Sequence, residues 1–117
     1  MTPGQYWSIP VSNGRFGCGI VLSLIDRKGT VDGRMFLAGL LEWIGHSAPS
    51  PMEIVNRPIS AKRFAHINMI LMTGGELIGE VSPWWEFEKP MPFTDDIPTA
   101  GYNVFRILAE KQASAHV

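Results

Sequence analysis

The fold of this protein is decided by residues 4–22, which read GQYWSIPVSNGRFGCGIVL. Two runs typical of β-strands flank the tetrapeptide Ser12-Asn13-Gly14-Arg15. An Asn-Gly pair readily supplies the two positive φ angles of a type I′ turn, so this pattern indicates a tight antiparallel connection. We therefore predict that the chain opens with a β-hairpin.

The second strand of this hairpin, residues 16–25, alternates between two faces. One face of an extended chain carries Phe16, Cys18, Ile20, Leu22 and Leu24. The other face carries Gly17, Gly19, Val21, Ser23 and Ile25. The two glycines leave a bare patch that a ring such as that of Trp7 or Tyr6 could cover, or they only shape the sheet.

Four shorter patterns describe the middle of the chain. Asp26-Arg27-Lys28-Gly29 and Asp32-Gly33 both have turn chemistry. The apolar run 35–44 suits a buried strand or a short helix, and its flanking glycines favour the strand. Ser50-Pro51-Met52-Glu53 has the form of a capping box, with proline at the first helical position. Because proline disfavours helical geometry in the residue before it, Pro58 limits this helix to about two turns.

Later patterns predict a second hairpin and a terminal helix. Apolar runs at 65–72 and 77–81 lie on either side of Thr73-Gly74-Gly75-Glu76, which indicates a hairpin with a Gly-Gly turn. From residue 101 the apolar positions follow a helical period. The apolar face of that helix carries Val104, Phe105, Leu108 and Ala109, with Arg106, Glu110 and Lys111 opposite.

These elements predict an α+β, mainly β fold in one domain over residues 1–117. We expect a small, bent antiparallel sheet or partly open barrel of five or more strands. A short connector helix joins two of the strands, and residues 101–117 form a C-terminal helical tail. A chain of 117 residues is long enough to bury a core without metal or disulfide cross-links.

Composition narrows the function classes. Hydrophobic residues make up 45% and charged residues 18%, which is typical of a folded globule. The formal charge of −1 gives no overall sign of a nucleic-acid or anionic-membrane binder. A single cysteine excludes an internal disulfide, and residues 1–8 lack a signal-peptide pattern, so we expect a cytoplasmic protein.

Candidate catalytic and metal-binding residues are widely spaced. His46, His66 and His116 form no short-range pair of the kind that zinc sites use. Cys18 lies between glycines that supply no charge to stabilise a thiolate, so a buried, inert thiol is expected. No glycine cluster matches a phosphate-binding loop. We therefore expect a protein that is not an enzyme and holds no cofactor or metal.

Residues 76–96 combine acidic and aromatic side chains with stiffening prolines. A single lysine stands against six acidic residues: Glu76, Glu80, Glu86, Glu88, Asp95 and Asp96. Aromatic rings contribute much of the energy of protein interfaces and surrounding charges steer the partner, so this acidic segment predicts a docking surface for a basic protein. The predicted partner-binding residues are Glu76, Glu80, Trp84, Trp85, Glu86, Phe87 and Glu88.

The two adjacent tryptophans in this segment are expected to point in different directions. In an extended stretch neighbouring side chains diverge, so one of Trp84 and Trp85 should be buried and the other exposed. The alternative is that either ring simply closes the core under a loop.

The opening stretch resembles the N-terminal signature of the immunity protein 26 family. That signature comprises a glycine, an aromatic residue, an Ile-Pro-Leu-like triplet, an Asp/Asn-Gly turn, and an aromatic-Gly-x-Gly strand ending in Val-Leu. Gly74-Gly75, Ile78-Gly79 and Pro83-Trp84 are similar to its later part. The resemblance covers roughly residues 4–93. Val11 stands where leucine is common and Asn13 where aspartate is common, and residues 46–64 do not align.

The resemblance implies a bacterial antitoxin of a polymorphic toxin system. Such a protein acts in the cytoplasm by binding and neutralising a cognate toxin domain, and the family provides no catalytic residues to transfer. Many toxins of these systems are nucleases, whose substrate grooves are positively charged. The acidic segment would then cover such a groove.

Two other function classes remain open on the residues alone. A small nucleic-acid-binding β-barrel could use basic residues in the first half and stack bases on Tyr6, Trp7 and Phe16; the basic residues are Arg15, Arg27, Lys28 and Arg34. A small enzyme would need a polar pocket around His66. A homodimer formed through an uncovered strand edge is a further partner hypothesis.

Overall fold

A five-stranded antiparallel sheet forms the centre of the molecule in a computed structural model that describes residues 1–115. The strands are β1 (Gln5–Val11), β2 (Arg15–Arg27), β3 (Thr30–Leu41), β4 (Ile59–His66) and β5 (Gly79–Glu80). Their order in the sheet is β4-β3-β2-β1-β5. The helices are α1 (Pro51–Ile54), α2 (Asn68–Thr73) and α3 (Val104–Ala115). The predicted fold class is confirmed, with an open sheet. His116 lies outside the described residues.

The first hairpin forms as predicted, but its loop is one residue longer than expected. Val11 lies opposite Arg15, so three residues connect the strands. Asn13 and Gly14 adopt the positive φ angles of 65° and 68° that this dipeptide favours. Ser12 leaves the ladder because its backbone N–H donates to the Glu110 carboxylate of α3 at 2.8 Å.

The two-residue turn occurs at the next connection instead. Arg27 pairs with Thr30, and Lys28 and Gly29 between them both have positive φ, at 52° and 91°. The Asp26 carboxylate accepts the Gly29 N–H at 2.8 Å and closes the turn. The turn predicted at Asp26-Arg27-Lys28-Gly29 is thus confirmed, whereas Asp32 and Gly33, also predicted to form a turn, lie within β3.

A bulge in β2 changes which face its last residues occupy. Up to Leu22 the predicted alternation holds: Cys18, Ile20 and Leu22 pack in one core layer and Val21 in the other. The register against β3 shifts between Val21 and Ser23. One additional residue reverses the alternation, so Ile25 joins Leu22 and not Val21. The predicted faces of Leu24 and Ile25 are therefore wrong.

The sheet carries one layer on each face. On the first face, residues 81–97 and α1 cover a cluster around Tyr6, Leu37 and Phe64. On the second face, α2 and α3 cover a cluster around Trp7 and Phe36. The division follows from the strands, whose alternate side chains enter different layers.

The two glycines of β2 make room for the second layer. The Trp7 ring lies directly on Gly19, where an added Cβ would come within 2.8 Å of three ring atoms. Ala109 of α3 packs on Gly17, at 3.2 Å from the corresponding Cβ position. Phe105 of α3 stacks on the far side of Trp7, with ring centroids 6.2 Å apart. The prediction that an aromatic ring fills the bare patch is confirmed for Trp7.

The predicted second hairpin is wrong. Residues 59–66 form β4 beside β3, and the rest of the apolar run turns into α2. The N–H groups of Gly74 and Gly75 both donate to the Ile70 carbonyl, so the Gly-Gly pair ends a helix. The short β5 pairs with β1 and not with the preceding run. A continuous apolar run has no period, and its partners in the folded chain decided its structure.

The remaining predicted elements are confirmed with different bounds. The strand over 35–44 is β3, which begins earlier, at Thr30, and ends at Leu41. The capping box of Ser50 and Glu53 is present, although the helix it begins has a single turn. The C-terminal helix buries Phe105 and Ala109, as its apolar face predicts.

Candidate partner-binding surface

The acidic segment, residues 76–96, crosses the first face of the sheet. It leaves β5 at one edge and reaches the far end of β2, where Ile25 and Met91 form a parallel bridge. The Asp26 N–H donates to the Met91 carbonyl at 2.8 Å, and the Ser23 hydroxyl donates to the Lys89 carbonyl at 2.6 Å. These bonds hold an otherwise irregular segment firmly on the sheet.

The two tryptophans have different surroundings. Trp85 is 7% exposed, and its indole N–H donates to the Leu22 carbonyl at 2.8 Å. Trp84 is half-buried and donates to the Arg57 carbonyl at 3.2 Å. The rings meet edge to face with centroids 5.0 Å apart. Trp85 is thus the buried ring that was predicted, whereas Trp84 is less exposed than expected.

The phenylalanines of the segment contact cations of this same chain. The Lys62 ammonium lies 5.0 Å from the Phe87 ring centroid. The Arg27 guanidinium lies 4.9 Å from the Phe93 centroid, and Phe93 also meets Phe64 edge to face at 4.9 Å. Cation–π contacts of this kind help to hold the segment in place. Because of these contacts, only part of the Phe87 and Phe93 rings is available to a partner.

The acidic side chains of the predicted site face the solvent. Glu76, Glu80 and Glu86 are exposed and Glu88 is half-buried. Glu80 accepts a hydrogen bond from the Thr2 hydroxyl at 2.8 Å. The predicted residues therefore fall into two groups: carboxylates at the surface, and rings that attach the segment to the sheet.

Cys18 and His66, the candidate catalytic side chains of the sequence, are buried or hydrogen-bonded within the protein. Burial raises the pKa of the Cys18 thiol well above its ordinary value, so the thiol stays protonated. His66 Nδ1 accepts the Asn68 N–H at 3.0 Å, and its ring meets Tyr102 edge to face. Within residues 1–115, His, Cys, Asp and Glu form no group of three or more suited to a metal ion. Over the same residues we find no helix with the length and apolar character needed to span a membrane.

One feature of the surface is not predicted from the sequence. The prediction places residues 65–72 in a strand, whereas α2 presents Leu71 and Met72 to the solvent. The apolar composition of this run is visible in the sequence. Which of its side chains face the solvent depends on where the strand ends.

Comparison with known proteins gives one match. The model of the family described as immunity protein 26 matches residues 2–105. No curated protein and no solved structure matches the chain. The family match covers most of the chain, including all five strands, α1, α2 and the first two residues of α3. The chain therefore belongs to the immunity protein 26 family.

Proposed function

We propose that this protein binds a cognate bacterial toxin domain and neutralises it by covering the toxin's active site. The observation that carries the proposal is the family match over residues 2–105. In this proposal the protein acts in the cytoplasm as one member of a polymorphic toxin system. It works by occlusion, without turnover of a substrate.

The acidic segment supports a basic partner surface. Six carboxylates stand in residues 76–96 against one lysine, and Glu76, Glu80 and Glu86 are exposed. A nuclease must present a positively charged groove to its substrate, so such a toxin has the complementary charge. The two surfaces would attract each other over distance, which raises the association rate and makes it fall with added salt.

The attachment of the segment supports its use as an interface. The bonds to Leu22, Ser23 and Asp26 fix its path before any partner arrives. A surface that is already ordered loses little conformational entropy on binding. In this arrangement Trp85 holds the surface in position from below, and Trp84 with the carboxylates contacts the toxin.

The nucleic-acid alternative draws less support from the structure. Tyr6 and Trp7, which would have to stack on bases, are 2% and 0% exposed. Arg27 already forms an ion pair with Asp32 and lies over Phe93. Two of the three rings that this alternative needs are therefore buried, and Arg27, one of its four basic residues, is engaged within the protein.

A titration of toxin activity tests the proposal. The probe is the toxin domain encoded in the reading frame next to this gene, assayed first for nuclease activity on DNA and RNA. We expect activity to fall linearly with added protein and to vanish at one molecule per toxin, since occlusion is stoichiometric. Complete inactivation at a small fraction of that ratio would indicate catalysis, and no inactivation at excess would contradict the proposal.

Charge variants of the acidic segment locate the contact. Glu86→Lys, at an exposed position, should slow association with the toxin, because it replaces attraction by repulsion. Glu42→Lys, on an exposed residue beyond the end of β3, is the matched control and should change association less. If Glu86→Lys and Glu42→Lys changed the association rate equally, the toxin would contact a surface other than the acidic segment.

A further inference from the structure

We propose that the surface between α2 and β5 receives an apolar side chain of the toxin that is flanked by lysine or arginine. This surface, the α2–β5 surface, is formed by Leu71, Met72, Glu76, Leu77 and Ile78. The inference rests on the proposed function and names the chemistry of the partner's anchor.

Large apolar side chains are exposed on this surface. Leu71 is 64%, Met72 60% and Ile78 41% exposed. Helix α2 reads NMILMT, and only Met69 and Ile70 of its four apolar residues are buried against the sheet. A short helix that is apolar on both sides leaves two of its four apolar side chains without a partner. Apolar patches of this kind mark interaction sites on soluble proteins.

A depression at this surface has the size for one side chain. Its volume is about 270 Å³, and its lining includes Ile67, Ile70, Leu71, Glu76 and Leu77. Small-molecule sites range from about 300 to 1,000 Å³ and are usually more enclosed. A single bulky apolar side chain from a docked protein is the occupant that fits this volume.

The charged side chain in the lining of the depression is a carboxylate, and the lining also includes Met1 with its α-amino group. Residues 68–80 contain Glu76 and Glu80 and no lysine or arginine. Glu76 lines the depression itself. A partner that places an apolar side chain here brings its neighbours next to these carboxylates, so cationic neighbours would stabilise the complex.

The same charges disfavour a second copy of this chain as the occupant. A two-fold dimer would place the same patch on both sides of the interface. Glu76 and Glu80 of one copy would then face those of the other, with no cation from residues 68–80 to offset the repulsion. A toxin with the basic surface proposed above would supply the complementary charge.

The surface is held in place from below. The Trp7 indole N–H donates to the Thr73 hydroxyl at 3.0 Å, and that hydroxyl donates to the Met69 carbonyl at 2.8 Å. Gly74 packs so closely on the Ser8 carbonyl that a Cβ atom would not fit. These contacts fix the end of α2 on β1, so the exposed side chains are presented in one arrangement.

Substitution at Leu71 tests the inference with the toxin domain from the adjacent reading frame as the probe. We expect Leu71→Ser to raise the Kd by about 30-fold or more, as for a large apolar side chain that anchors an interface. Glu76→Lys should also raise the Kd by about tenfold or more, mainly through slower association. Both side chains project from the surface, and circular dichroism and thermal unfolding verify that the variants fold.

Ile107→Ser is the matched control. Ile107 is 56% exposed on α3 and lines a depression with Arg106, Lys111 and Glu110, so cations outnumber the carboxylate there. Because the same apolar-to-polar change is made next to cations, we expect the Kd to remain within about twofold of the unsubstituted chain.

Each outcome separates the inference from the proposed function. Toxin that does not bind the unsubstituted chain would contradict both. Tight binding that Leu71→Ser leaves unchanged would overturn the inference alone, and so would an unchanged Kd for Glu76→Lys. Sedimentation of the chain by itself should show a monomer. A dimer that Leu71→Ser dissociates would identify a second copy as the occupant and overturn the inference.

Discussion

Substitution of Gly19 by alanine tests how the second core layer is built. The added Cβ would lie within 2.8 Å of three atoms of the Trp7 ring. This ring is 0% exposed, contacts the rings of Phe36 and Phe105, and is bonded through its indole N–H to Thr73. Because these contacts hold the buried ring, the added Cβ requires the strand or the helices to shift.

The expected decrease in the free energy of unfolding of Gly19→Ala follows from two opposing effects. Overpacking a buried site costs typically about 1–3 kcal/mol, and an immobile ring places Gly19→Ala near the upper value. Replacing a strand glycine by alanine recovers about 0.5–1 kcal/mol of chain entropy. We therefore expect the free energy of unfolding to fall by about 2 kcal/mol. For a chain of this size the melting temperature should fall by roughly 8 °C.

Urea and thermal unfolding measure this effect, with Gly33→Ala as the control. Gly33 has no atom within 4 Å of its Cβ position and no positive φ, so alanine there should be neutral or slightly stabilising. Adding Trp7→Phe to Gly19→Ala should recover part of the clash, so the two effects should not add. Equal stability of Gly19→Ala and the unsubstituted protein would refute the packing described above.

Three further predictions concern other parts of the structure. The pKa of Asp32 is lowered to about 2, first by the Arg34 backbone N–H and then by a guanidinium in the same turn. Because its folded-state pKa lies below the ordinary 3.8, the stability that the Asp32 carboxylate contributes is present above that pH and lost as the pH falls toward 2. Asp32→Asn should therefore lower the melting temperature at pH 7 and not at pH 2. Trp85→Phe removes the donor of a buried carbonyl and should lower the free energy of unfolding by about 1–3 kcal/mol in urea titrations, whereas Trp84→Phe, at a half-buried site, should lower it less. Phe105→Ala should lower it by about 3–5 kcal/mol, and a loss below 1 kcal/mol would contradict the role of α3 as a core layer.

Much of the fold was predictable from local chemistry. The Asn13-Gly14 dipeptide, the capping box at Ser50 and the periodic apolar face of α3 each encode their structure within a few residues. Gly19 even indicated an aromatic neighbour, because a glycine in a strand leaves space that the fold must fill. Such signals depend little on the rest of the chain.

The wrong predictions share a physical cause. The run 65–72 has no hydrophobic period, so only pairing with β3 and packing on the sheet decide that it changes from strand to helix near His66. The bulge near Leu22 is likewise a property of the pairing between two strands. Partner-dependent features of this kind are not written in a single local pattern.

The candidate site shows the same division. The acidic composition of residues 76–96 was visible in the sequence, and its carboxylates do face the solvent at Glu76, Glu80 and Glu86. The sequence predicts that one of Trp84 and Trp85 is buried and the other exposed. It does not predict which, because the direction of each ring depends on the sheet beneath. The exposed side of α2 could not be predicted, because the sequence pattern of its residues predicts a strand.

The most direct test of the central claim is whether the toxin can hold its substrate and this protein at the same time. A labelled, uncleavable substrate bound to the toxin domain from the adjacent reading frame is titrated with the purified chain. Occlusion predicts complete release of the substrate at one chain per toxin. A stable complex that contains toxin, substrate and this protein together would contradict the account.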